Sequence, residues 1–132
     1  MEKISLQIWE NLAEIAWVTR NNAYLIGETA VGAAILTDEG KIFSGCNVEH
    51  RFRINDSHAE VNAITTMVAA GYKIIRCIIV VSERSRFTPC GSCMDWIFQF
   101  GGPDCEVAYQ SGRNGQIFTF LAKDLMPFYP IM

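Results

Sequence analysis

The chain carries no basic tail and no dense run of lysine or arginine, and its formal net charge is −3 over 132 residues. Affinity for nucleic acid comes largely from cationic side chains on phosphates, so the composition gives little support for a nucleic-acid partner. Its apolar runs fall far short of the roughly 20 residues that span a bilayer as a helix, so no membrane partner is expected. No signal-peptide pattern opens the chain, because Glu2 and Lys3 lead into a segment that already contains Glu10 and Glu14. A cytoplasmic address is the expectation that follows. Internal repeats are missing as well. What the sequence does hold is a hydrophobic half, 50% of residues, with 19% charged, which describes an ordinary globular chain and excludes a disordered one. Residues 1–132 are expected to form a single domain around one core.

The five cysteines, Cys46, Cys77, Cys90, Cys93 and Cys105, are odd in number and lack a secretory context. They therefore read as thiols, with one close pair available to hold a metal. Cys77 lies in the apolar run 74–81 and Cys105 near a strand start, where each serves as a small buried hydrophobe. Cys46 is similar, and Asn47 beside it offers a place in a site wall as the alternative.

Apolar residues at Ile4, Ile8, Leu12, Ile15 and Ala16 follow the three-and-four spacing of an amphipathic helix over 4–19, packed with help from Trp9 and Trp17. Residues 23–29 read as a loop. Strands at 30–36 and 41–47 flank the turn Asp38-Glu39-Gly40 and form a hairpin, and 48–56 is polar and irregular. A helix over 58–70 follows, capped by Asn55, Asp56 or Ser57 and burying Val61, Ile64, Met67 and Val68. The nearly continuous apolar stretch 74–81 suits a strand covered on both faces. A short helix over 90–100 ends at Gly101-Gly102-Pro103. Strands at 106–110 and 116–120 are joined through Asn114-Gly115, a strong hairpin signal. This order predicts an α/β fold with a central mixed sheet of five strands and helices on its faces.

The chemistry concentrates at His58-Ala59-Glu60 and Pro89-Cys90-Gly91-Ser92-Cys93. His58, Cys90 and Cys93 are three plausible zinc ligands, and three protein ligands leave the fourth tetrahedral position open, as catalytic zinc sites do. Taken alone, Cys-x-x-Cys also suits a redox pair or half of a structural zinc knuckle. Both halves fall at predicted helix starts, whose unpaired N–H groups and partial positive charge favour thiolates.

His-x-Glu followed by Pro-Cys-x-x-Cys resembles the signature of the zinc deaminases. The chain resembles the cytidine deaminase superfamily, and within it the small homotetrameric cytidine deaminases and their blasticidin-S-deaminase relatives. The likeness runs from Val31 to Pro127. It includes Val31-Gly32-Ala33-Ala34, the segment Gly40 to Glu49 that ends in Asn47-Val48-Glu49, and the closing Asp124-Leu125-Met126-Pro127. The resemblance implies a three-layer fold whose last two strands are antiparallel, and the five-residue turn at 111–115 is too short for the helical crossover of the nucleic-acid and deoxycytidylate branches. It also implies Zn2+ on His58, Cys90 and Cys93, with Glu60 as the proton shuttle in hydrolytic removal of an exocyclic amine. Asn47 and Glu49 would bind the sugar hydroxyl, the backbone near Ala59 the pyrimidine, and the carbonyl of Pro89 or the backbone near Ser57 the amine. The implied partner is a free small nucleoside, in a homo-oligomer with a tetramer favoured over a dimer. The end at Met132 implies a lid unlike that of longer relatives.

Three departures narrow the likeness. His58 stands where close relatives have a cysteine, and Val61 where they have the arginine that partners it, so the two charge changes compensate. Thr29 replaces the aromatic that packs on the pyrimidine, a role that Phe52 is expected to take over. Met94-Asp95-Trp96 follows the cysteine pair, and Trp96 adds bulk beside the site. These changes bear on the substrate, which could be a nucleoside antibiotic or another amino-heterocycle. A non-catalytic, zinc-stabilised ligand-binding protein is the alternative from another class, and Glu60 argues against it.

Overall fold

A computed structural model describes residues 2–130; Met132, where the sequence implies an altered lid, lies outside them. The elements in chain order are α1 (Leu6–Arg20), β1 (Gly32–Thr37), β2 (Ile42–Cys46), the 3-10 turn Arg53–Asn55, α2 (Ala59–Ala69), β3 (Ile75–Val81), α3 (Gly91–Gly101), β4 (Glu106–Gln110), β5 (Ile117–Leu121) and α4 (Ala122–Leu125). The strands form one sheet in the order β2-β1-β3-β4-β5. Only β3 and β4 are parallel; the other neighbours run antiparallel. The expected five-stranded mixed sheet and its final antiparallel pair are both present. That last turn uses Asn114 at φ 65°, a left-handed position that asparagine tolerates.

Why 74–81 is almost unbroken in apolar residues is clear from the two cores. Cys77, Ile79 and Val81 point to the α1 side with Trp9, Leu12, Ala16 and Trp17, while Ile78 and Val80 point to the α2 and α3 side with Ile64, Met67 and Ile97. A strand with helices over both faces cannot alternate apolar with polar. Each fully buried Ile or Leu contributes about 1.5–3 kcal/mol. Cys77 and Cys105 are buried, as the sequence indicates for both.

Two close approaches set the helices on the sheet. A Cβ at Gly32 would lie 2.1 Å from the carbonyl oxygen of Ala16, and one at Gly45 would lie 2.4 Å from the Ala63 nitrogen and 2.6 Å from the Ala59 oxygen. The absence of a side chain at Gly45 lets the start of α2 rest directly on β2.

That contact corrects the face expected of α2. The buried positions are Ala59, Glu60, Ala63, Ile64 and Met67, whereas Val61 is half-buried and Val68 is exposed. Hydrophobicity alone favours the valines, but the narrow gap over Gly45 admits only the small side chains of Ala59 and Ala63. The cap differs too: His58 itself occupies the N-cap position, and its side chain makes no capping hydrogen bond. None of Asn55, Asp56 and Ser57 is the capping residue.

The irregular stretches 23–29 and 48–57 are pinned together. Val48 exchanges two backbone hydrogen bonds with Ser57 (2.8 and 2.9 Å), while the Tyr24 N–H donates to the Asn47 carbonyl (3.1 Å) and the Glu49 N–H to that of Tyr24 (2.8 Å). These bonds make a small second ladder beyond the end of β2, and it forms one wall of the site.

Candidate active site

His58 sits at the N-cap of α2 and Cys90 at the N-cap of α3, with Cys93 in the first turn of α3. The His58 Nδ1 atom is 3.2 Å from the Cys93 Sγ and 3.4 Å from the Cys90 Sγ. One donor atom from each of the three lies within 4.8 Å of the others. Tetrahedral zinc with ordinary Zn–N and Zn–S bond lengths separates its nitrogen and sulfur ligands by about 3.5 Å. Distance and donor chemistry therefore both fit zinc, with three protein donors brought together.

Burial overrides the helix-start effect expected at Cys93. Its thiol is pushed far up, first by desolvation and then by the nearby charges of Glu60 and Cys90. A helix terminus offers about half a unit charge, less than removal of a thiolate from water costs. The cation is what would make the thiolate favourable there.

Glu60, in the first turn of α2, is 3% exposed. Burial raises its carboxyl above the ordinary value, against smaller opposing effects from its own backbone N–H, His58 and Cys93. A buried acid whose carboxyl is pushed up, beside a metal-type thiol, is suited to giving and taking protons.

A cavity of about 180 Å³ opens over these groups and is lined by Thr29, Asn47, Glu49, Ala59, Glu60 and Phe87 together with residues of both helix starts. Asn47 is tied into its wall: its Oδ1 accepts from the Val31 N–H and its Nδ2 donates to the Thr29 carbonyl, each at 2.8 Å. Glu49 Oε1 accepts from the N–H groups of Ile26 and Gly27, both at 2.7 Å, and its Oε2 from Arg53 at 3.1 Å. Arg53 also pairs with Asp56 at 2.8 Å, and Asp56 accepts from the His50 N–H at 2.7 Å. Arg53, Asp56 and Phe87 line the cavity without having stood out in the sequence. The spacing Glu49, Arg53, Asp56 was the available signal for the ion-pair network, whereas Phe87 follows Arg86 in a polar loop and carries none.

Phe52 lies elsewhere. It is 65% exposed, stacks on His50 at 5.7 Å and does not line the cavity. The 3-10 turn that brings Arg53 inward turns the preceding side chain outward. Trp96 likewise does not line the cavity and stacks on Phe100; it lies three residues beyond Cys93, past the turn that carries the ligands.

The backbone N–H groups of Gly27 and Ile26 hold the Glu49 carboxyl below its ordinary value, with a further contribution from Arg53. A depressed folded-state pKa adds stability that is complete above the unfolded value and is lost as pH falls through the folded one. Amide exchange at Ile26 and Gly27, corrected for intrinsic rates, is therefore expected to stay slow at neutral pH. Protection should fall away only in acid, below the ordinary carboxylate pKa of about 4.3. Glu49→Gln should remove the pH dependence, and an unchanged profile in that variant would contradict the assignment.

Among the described residues no helix is long and apolar enough to cross a membrane. The cytidine and deoxycytidylate deaminase zinc-binding region matches residues 7–109. A cytidine deaminase of Sporosarcina psychrophila is 30% identical over 110 residues, covering 82% of this chain and 80% of that protein. A probable cytidine deaminase of Dictyostelium discoideum is 46% identical over 79 residues, 58% of this chain, and the matched stretch spans only 52% of that relative's length. The crystal structure of cytidine deaminase from Burkholderia pseudomallei shares the fold at a TM-score of 0.83 and 33% identity, covering 95% of this chain and 98% of that one. With the zinc-binding region matching residues 7–109 and the fold shared almost end to end, the chain belongs to the cytidine and deoxycytidylate deaminases, a family of hydrolytic enzymes.

Proposed function

We propose that the protein hydrolytically deaminates a free cytosine nucleoside or a related aminated pyrimidine nucleoside, consuming one water and releasing one ammonia. The observation that carries this reading is the placement of Glu60, buried in the first turn of α2 two residues from His58 and close enough to His58 and Cys93 to be influenced by both. Zinc, when held by His58, Cys90 and Cys93, would supply Lewis acidity that lowers the pKa of a water. Glu60 takes a proton from the water that adds to the amine-bearing carbon and gives it to the adjacent ring nitrogen; it then moves the hydroxyl proton of the adduct to the amine as the carbon–nitrogen bond breaks and ammonia leaves. A carboxylate can serve as base and then acid within one turnover, which a closed structural zinc site does not require.

Asn47 keeps one amide hydrogen and one lone-pair direction free after its two backbone bonds, and we assign these to a sugar hydroxyl. Glu49 has a single acceptor direction left. The backbone near Ala59 borders the pyrimidine, and Phe87, an aromatic that lines the cavity, takes the role expected of Phe52. We assign the unit to residues 1–132 as one domain in a cytoplasmic setting, which the five free thiols support. A homo-oligomer, with a tetramer favoured over a dimer, is supported by exposed Tyr24, Ile26, Phe52 and Ile54 on the loops and turn next to the site. Trp9 and Trp17 are core residues and leave such an interface to other aromatics.

The test is ammonia release by the zinc-loaded protein from cytosine, cytidine, deoxycytidine, deoxycytidylate and cytosine nucleoside antibiotics. Release from nucleosides but not from free cytosine is expected. Release from the free base alone would remove the role given to Asn47 and Glu49, and preference for an antibiotic would favour the reading in which Thr29 marks an altered substrate. A protein that binds these compounds without releasing ammonia would be the non-catalytic alternative.

A further inference from the structure

We propose that Asn62 is a positioning residue: by holding the outer edge of β2 to α2, it sets the separation between Asn47 on the sugar side and the proton shuttle Glu60. The inference rests on the deaminase reading above and adds to it a residue outside the cavity lining.

β2 lies at one edge of the sheet. Backbone N–H groups along a strand point alternately to its two sides, and past the end of β2 each side has its own partners. The Asn47 N–H turns inward to the Val31 carbonyl at 3.2 Å, and the Glu49 N–H to that of Tyr24 at 2.8 Å. The Cys46 and Val48 N–H groups turn outward, where no strand continues the sheet. Val48 donates to the Ser57 carbonyl at 2.8 Å, and Cys46 donates to Oδ1 of Asn62 at 3.0 Å.

Two rungs therefore fasten residues 57–62 to residues 46–48. His58 and Glu60 lie between the rungs on one segment, and Asn47 lies between them on the other. The front rung is made of backbone groups, which no substitution there replaces. The rear rung is a single side-chain oxygen. Beside it the bare Gly45 brings β2 against Ala59 and Ala63, a contact between small groups that resists sliding only weakly. The hydrogen bond from Cys46 supplies the missing direction, and the half-buried setting of Asn62 limits competition from water. A nucleoside held by a sugar hydroxyl at Asn47 and by its ring at Glu60 spans both segments. Misplacement by about 1 Å can cost on the order of 10²-fold in rate.

The experiment compares kcat/KM for cytidine and for 2′,3′-dideoxycytidine, which lacks both ring hydroxyls, in the zinc-loaded wild type, Asn62→Ala and Asn62→Asp. Asn62→Ala is expected to lower the cytidine value by about 10- to 100-fold and the dideoxycytidine value far less, with zinc content unchanged. Asn62→Asp keeps an oxygen for the Cys46 N–H, near a helix start where a negative charge is tolerated, and should recover most of the loss. Amide exchange at Cys46 should quicken in Asn62→Ala and stay slow in Asn62→Asp. Equal losses for the two compounds, no loss at all, or exchange at Cys46 as slow in Asn62→Ala as in the wild type overturns the inference and leaves deamination standing. Should Asn62→Ala not fold, Asn62→Ser, whose hydroxyl is too short to reach Cys46, takes its place in the same comparison. If the wild type releases ammonia from neither compound, the deaminase reading fails instead. The calorimetric affinities of cytidine and dideoxycytidine for the same proteins then decide whether Asn62 sets the sugar contact.

Discussion

Glu60→Gln is expected to abolish most ammonia release while leaving metal content and fold in place. The amide matches the carboxylate in shape, so the packing of α2 is kept, but it cannot accept and return a proton. General acid–base groups contribute roughly 10²–10⁴-fold to turnover, and a loss in that range is the expected reading. Zinc stoichiometry should be unchanged, because the three donors are His58, Cys90 and Cys93. Thermal stability should hold or rise, since burial already disfavours the Glu60 carboxylate and the amide does not have to be ionised in that place. Glu60→Asp, shorter by one methylene, should fall between the two. A Glu60→Gln protein with wild-type turnover would refute the proton shuttle outright.

Cys93→Ala should have the largest effect on the protein's physical state. Cys93 is fully buried between Glu60 and His58, and its loss leaves two donors, one on each helix. Zinc per chain, measured on dialysed protein, is expected to fall from near one to a small fraction. A metal that binds only the native state stabilises it by RT ln(1 + [L]/Kd), about 4 kcal/mol at a thousandfold excess over Kd. In a domain of this size that corresponds to a rise in Tm of roughly 10 °C or more. The wild-type Tm should therefore drop on chelation, while the Tm of Cys93→Ala should be the same with and without chelator. Cys77→Ala is the control: it also removes a buried thiol, but in the α1-side core. It should lose packing energy and keep the chelator response. A chelator-sensitive Cys93→Ala protein would mean that the metal is held elsewhere.

The chemistry was legible because it is written in residue identity. His58, Glu60, Cys90 and Cys93 can be named before any geometry is known, and the loops and turns on either side place them at helix starts. The sheet was legible for a related reason. A doubly covered strand at 75–81 and a short turn at 111–115 leave few ways to order five strands.

What the sequence did not disclose depends on clearance and on turn geometry. The buried face of α2 is chosen by the lack of a side chain at Gly45, on another element, and this favours Ala63 over Val61 and Val68. Phe52 looked suited to the cavity by type, yet the 3-10 turn beside it sends the side chain outward.

The wall holding Asn47 and Glu49 has one further consequence. Both side chains are fixed by backbone groups before any ligand arrives, so little rotamer freedom is left for association to remove. A preorganised recess of this kind should bind with a modest entropic penalty, and complex formation should follow a single exponential without a slow rearrangement phase. Loosening the wall by Asn47→Ala should appear first in the entropy of binding, ahead of its enthalpy.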